Sequence, residues 1–222
     1  LARLKQLGKD FLLKTFDIRE GELERVLLIQ LNIFLIIFTL LVIKPVVNAQ
    51  FISVIGIEQL PLVFVLVAIC AILVSTIYSR ALTSKSLKRV IKSTLIISVL
   101  SLVGIALLLQ LNIGERLVLY VLYVGVAIFG VLTTSQFWIM ANLAFDAREA
   151  KRLFSFIGAG PIAGGVAGGY LTSLLANYID GVNLLYVGAA LLCLCIPVND
   201  IIWKRYIVTL NTFQKKKRFT DF

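Results

Sequence analysis

Histidine is absent from the 222 residues, and cysteine occurs only three times and proline four. Without histidine a Cys/His zinc site is excluded. No nucleophile–base pair and no metal-ligating cluster is visible, so a search for a catalytic site has nothing to start from. Neither an enzyme nor a metal or cofactor is expected. Cys70, Cys193 and Cys195 all fall inside long apolar runs, where cysteine acts as a small apolar filler and gives no disulfide framework. Acidic residues are scarce too, 12 against 22 Lys and Arg, which leaves a net charge of +10. In a soluble protein that excess suggests nucleic acid, but here its distribution points elsewhere.

Apolar residues are what the chain has in abundance, 59% of the total with a mean hydropathy of +0.97. That exceeds what one soluble core of this size needs. Crossing a bilayer as helix takes roughly 20 apolar residues, and lipid-exposed backbone must satisfy its own hydrogen bonds. The runs are too long and continuous for barrel strands, so they predict helices. We read an all-α polytopic membrane bundle of six spans, residues 26–43, 60–78, 90–110, 117–140, 153–179 and 182–203. Pro45 is expected to close the first span, and Pro61 sits in the first turn of the second, where proline is tolerated.

Between the spans the Lys/Arg counts run 6, 1, 5, 1, 3, 0 and 6, with Lys92 assigned to the third segment. Twenty of the 22 cations therefore fall on one side of the membrane. Cytoplasmic segments are enriched in this way, so both termini are expected inside the cell. This pattern accounts for the positive charge without a nucleic-acid partner. Residues 1–25 form a polar segment in which Leu4, Leu7, Phe11 and Leu12 recur at helical spacing. They predict an amphipathic helix, lying either on anionic membrane lipid or on another part of the protein. Residues 204–222 read as a basic cytoplasmic tail or linker. The chain begins at Leu1 with no cleavable signal peptide, which suggests a piece of a longer or processed polypeptide.

The fifth run carries Gly160, Pro161, Gly164, Gly165, Gly168 and Gly169. Gly160, Gly164 and Gly168 are four apart and share a helical face that a neighbouring backbone can approach closely, with Gly165 and Gly169 expected to widen it. Pro161 removes a donor and permits a local bend. Such a helix either rocks as a gate or packs statically. Asp146, Arg148, Glu149, Lys151 and Arg152 form a charge cluster before it, read as a loop in which Glu149 faces Arg152. The cluster either clasps neighbouring loops or is a solvated, topology-setting segment. Gln30, Asn32, Thr133, Thr134, Ser135, Gln136 and Asn142 are polar groups in and beside the first and fourth runs. They line a cavity or tie helices together.

Six spans read as three plus three have the size of one half of a major facilitator transporter, a fold with its substrate site between two such halves. The Gly-Pro-x-x-Gly-Gly of the fifth run resembles a motif of drug–proton antiporters in that superfamily. More specifically, Lys44-Pro45-Val46-Val47-Asn48-Ala49, Glu58-Gln59-Leu60-Pro61, Ser135-Gln136-Phe137-Trp138, Ala141-Asn142, Phe145-Asp146 and Ala150-Lys151-Arg152-Leu153-Phe154 resemble the nucleotide (ATP/ADP) translocase family in order, from about Asp17 to Asp200. The resemblance implies the N-terminal half of a carrier in a bacterial inner membrane, working by alternating access. Its partner is a second six-helix half, a second copy or another membrane subunit. It also implies substrate contacts at Lys44, Asn48, Gln136 and Asn142. Val47 and Asn48 replace the family's Arg and Asp, and Leu143 replaces its acid after Ala-Asn. ATP carries about four negative charges and needs several fixed cations, so a transport-inactive scaffold derived from a transporter is the alternative.

Overall fold

The structure, a computed structural model, describes residues 19, 21–84 and 86–207. The expected amphipathic helix around Leu4–Leu12 and the basic run Lys215–Arg218 lie outside the described residues. The elements are α1 (Leu23–Val54), a 3-10 turn (Ile57–Gln59), α2 (Leu60–Ser84), α3 (Leu87–Gln110), α4 (Glu115–Ala144), α5 (Ala147–Ile157), α6 (Ala159–Leu175) and α7 (Gly181–Ile202). A π turn, Trp203–Ile207, continues α7. Counting α5 and α6 as one span, the described residues hold six segments long and apolar enough to cross a membrane.

The helices run past the expected apolar cores. Pro45 does not close the first span: α1 passes through it to Val54. A helix of 32 residues is about 48 Å long, so α1 exceeds a hydrocarbon core of about 30 Å. Only one donor is lost at Pro45, and the Leu41 carbonyl that it would have served accepts the Thr172 hydroxyl at 3.1 Å. The run of helix is interrupted at Gly158, between α5 and α6 and three residues before Pro161, although Gly158 itself keeps right-handed helical dihedrals of φ −64° and ψ −18°. Pro161 has no N–H to offer the Ile157 carbonyl, and its ring crowds that oxygen. The fifth span ends at Leu175, short of the expected residue 179.

Turn chemistry sets the tight reversal between α3 and α4. Asn112 adopts φ 55° and Gly114 φ 59°. The Asn112 N–H bonds the Leu109 carbonyl and the Ile113 N–H bonds that of Leu108, each at 3.1 Å. This paired arrangement around a left-handed Asn satisfies carbonyls that the helix end would leave orphaned.

α1 is the centre of the bundle, packed against α4, α6 and α7. The remaining principal pairs are α3 with α7, α2 with α4 and α3 with α4. Exchanging the first three spans with the last three maps each of these pairs onto another or onto itself. The match is unequal in tightness. Gly160, Gly164 and Gly168 are buried on α1, and a Cβ at each would lie 2.9, 2.6 and 2.6 Å from the Gln30, Phe34 and Phe38 carbonyl oxygens. Thr172 extends the stripe by donating to the Leu41 carbonyl at 3.1 Å. In contrast α2, the counterpart of the fifth span, buries only Val63 among its residues of described burial, 60–82, and leaves Leu62, Val65, Ile72 and Ile77 about 60% exposed or more. Gly165 and Gly169 do not widen the packed face, since a Cβ at either meets nothing within 4 Å.

Candidate functional site

Apart from Lys44 and Arg116, the described Lys and Arg residues lie at one end of the bundle, where α1, α3 and α5 begin and α2, α4 and α7 finish. At this charged end Arg25 is buried. Its Nη1 donates to the Ala144 carbonyl at 3.0 Å, its Nη2 pairs with Glu149 Oε1 at 2.8 Å, and its guanidinium lies 4.7 Å from the Phe145 ring centroid. The Ala144 carbonyl is one of the acceptors that the end of α4 leaves without a helical partner. Glu149 Oε2 meanwhile accepts the Asp146 N–H at 3.1 Å, half of a capping box that starts α5. One side chain thus ties the end of α4, the start of α5 and the start of α1.

The charge cluster is therefore the first turns of a helix, not a loop. Glu149 pairs with Arg25 rather than Arg152, and Arg152 Nη2 donates to both Glu22 oxygens at 2.8 and 3.0 Å. Arg205 binds Glu24, while Lys88 and Lys92 reach Asp200 at 3.6 and 3.2 Å. Asp200 is thus met by α3 and not by the neighbouring Lys204 and Arg205. Asp146, Arg148 and Lys151 are exposed, the first as the α5 N-cap.

A polar layer crosses the interior roughly 5–17 Å in from this end, reckoned at 1.5 Å per residue. Gln136 is buried and its Nε2 donates to Thr94 Oγ1 of α3 at 2.9 Å. Thr133 is buried and donates to the Phe129 carbonyl at 2.7 Å. Asn32 faces them from α1 and Asn199 from α7. Gln30, two residues closer than Asn32 to the charged end, donates to the Phe156 carbonyl at 3.1 Å. Gln136 and Gln30 link helices, whereas Thr133 and Asn199 bond carbonyls of their own helices and Asn32 does neither.

Beyond the layer a cavity of about 300 Å³ lies between α3 and α4, with Ile43 of α1 at its floor. Thr94, Ser98 and Ser101 form one polar edge on α3, and Leu122, Phe129 and other apolar groups of α4 make the opposite wall. Among the described residues no charged side chain lines it.

The four expected substrate residues are not brought together. Lys44 is exposed on α1, Asn48 is half-buried a turn beyond it, and Gln136 lies in the polar layer. Asn142 is exposed and donates to the Trp138 carbonyl of its own helix at 2.9 Å. Lys44 and Asn142 differ in depth along the bundle by about 29 Å at helical rise. Arg25, Glu22 and Thr94 were not anticipated from the sequence. Asp146-x-x-Glu149 before an apolar run was the readable sign of a helix start there. Nothing in the spacing marked its partner 124 residues earlier. No protein-family model, curated protein or solved structure matches this chain.

Proposed function

We propose that this chain is one six-span half of a facilitator-type membrane carrier, resembling the nucleotide translocases and working by alternating access against a second half. The observation that supports this reading is the packing pattern, in which the first three and last three spans exchange places without changing the principal helix pairs. Inverted repeats of three helices are the internal symmetry of such halves. The charged end faces the cytoplasm in this reading, as the distribution of Lys and Arg requires.

The substrate charge must be met largely by the partner half. Among the described residues Lys44 and Arg116 are the cations away from the charged end, and the 300 Å³ cavity has none. The test is counterflow in proteoliposomes with labelled ATP, ADP and other nucleotides, using the complete protein. Exchange above empty vesicles, reduced by Lys44→Ala, is the expected result. Absence of any exchange removes nucleotide transport.

The uncharged cavity favours a second reading, a transporter-derived bundle that anchors a larger membrane assembly. This alternative predicts stable copurification with partners and indifference to Lys44→Ala. Loss of activity in Lys44→Ala with assembly intact eliminates it.

A further inference from the structure

We propose that the polar layer holds a bound water molecule on the Asn32 carboxamide, admitted from the charged end past Asn199. Asn32 is wholly buried, and neither its Nδ2 nor its Oδ1 has a hydrogen-bond partner. A donor and an acceptor left dry together are costly, and native cores pair such groups with protein or ordered water. The amide borders a cavity of about 10 Å³ whose wall includes Thr133, Gln136 and Asn199. That is about the smallest space that admits one water, and a water needs two to four polar partners. The Thr133 hydroxyl and the Gln136 carbonyl oxygen have lone pairs to accept its protons.

An entrance is present as well. A second opening of similar size, lined by Lys88, Lys92 and Asp200, shares Ile91, Leu95 and Asn199 with the first. The Lys92 side chain is 49% exposed, so this outer opening meets solvent and Asn199 stands between it and Asn32. A cation does not fit the inner cavity. Among the described residues no carboxylate lines it, and Asp200 at the mouth is already engaged by Lys88 and Lys92. The ligand is neutral and no larger than water. The site does not depend on whether the bundle transports anything.

X-ray radiolytic footprinting of the purified protein in ¹⁸O-labelled water tests this directly. Hydroxyl radical formed from activated bound water adds to an adjacent aromatic ring and carries the water oxygen with it, so Phe137, which is 2% exposed and lines the inner cavity, is expected to incorporate ¹⁸O at a rate comparable with exposed Tyr178. Phe137 remaining unlabelled while Tyr178 is labelled overturns the proposal, and the wild-type protein alone decides that point. Asn32→Leu is expected to abolish the labelling, and persistence of the signal removes Asn32 as the anchor. Asn199→Leu is expected to slow it, and an unchanged rate removes the entry route.

Discussion

Arg25 joins three helix ends through one guanidinium, and its replacement is the sharpest residue-level test of the charged end. Arg25→Ala strands the Ala144 carbonyl and leaves Glu149 with only its capping role. A charged hydrogen bond at a mostly buried site contributes about 2 kcal/mol, so Arg25→Ala is expected to lower the midpoint of detergent-monitored unfolding by several degrees. Arg25→Lys retains charge but not the fork that reaches two acceptors at once, and it is expected to recover less than half of the loss. An unfolding midpoint unchanged in Arg25→Ala contradicts the clasp. Composition reveals that a cation near residue 25 belongs at the membrane edge. It does not reveal the partners, because Arg25 and Glu149 meet only after four helices have been laid down between them.

At the scale of elements, the fifth span illustrates what spacing can and cannot show. Glycines four apart identify a smooth helical face, and the structure presses Gly160, Gly164 and Gly168 onto α1. The two extra glycines gave no hint that they lie off that face, since 165 and 169 are spaced as regularly as the others. Gly164→Val places carbon 2.6 Å from the Phe34 carbonyl oxygen, where backbone must move. Overpacking of that kind costs on the order of 3 kcal/mol. Gly165→Ala and Gly169→Ala meet open space and, as helix-favouring changes, are expected to be neutral or slightly stabilising. Fluorescence-detected size exclusion of solubilised variants checks the pair. A monodisperse Gly164→Val peak at wild-type yield would falsify the close α1–α6 contact. Pro45 shows the opposite failure of sequence reading: proline signals a helix end in water, whereas a long helix surrounded by apolar packing tolerates one missing donor.

The whole molecule follows from two distributions, apolar residues along the chain and cations between the runs. Both were legible without coordinates because membrane insertion acts on composition over stretches of roughly 20 residues, not on individual contacts. The internal site was less legible. Whether Gln30, Gln136 and Asn142 face the interior depends on helix rotation within a bundle that is apolar on nearly every side, so periodicity offers little guidance. The structure turns Gln136 inward and Asn142 outward, and aims Asn32 into the core without a partner. The sparse burial of α2 belongs to this scale too. In the proposed carrier that helix gains contacts when the second half docks. Cysteine substitutions along Leu62, Val65 and Ile72 are therefore expected to crosslink to a partner segment in the assembled protein, and crosslinks confined to lipid-facing reagents argue against a docked half.

In the proposed reading the six-span bundle turns its charged end to the cytoplasm, and the most direct test is impermeant-maleimide labelling of single cysteines in intact cells, with Cys70, Cys193 and Cys195 replaced. Ile57→Cys, Ile113→Cys and Tyr178→Cys are exposed at the end away from the cation cluster and are expected to react from outside. Arg148→Cys and Lys204→Cys are expected to react only after the membrane is permeabilised. External labelling of position 148 or 204, or protection of all three positions at the far end, contradicts it.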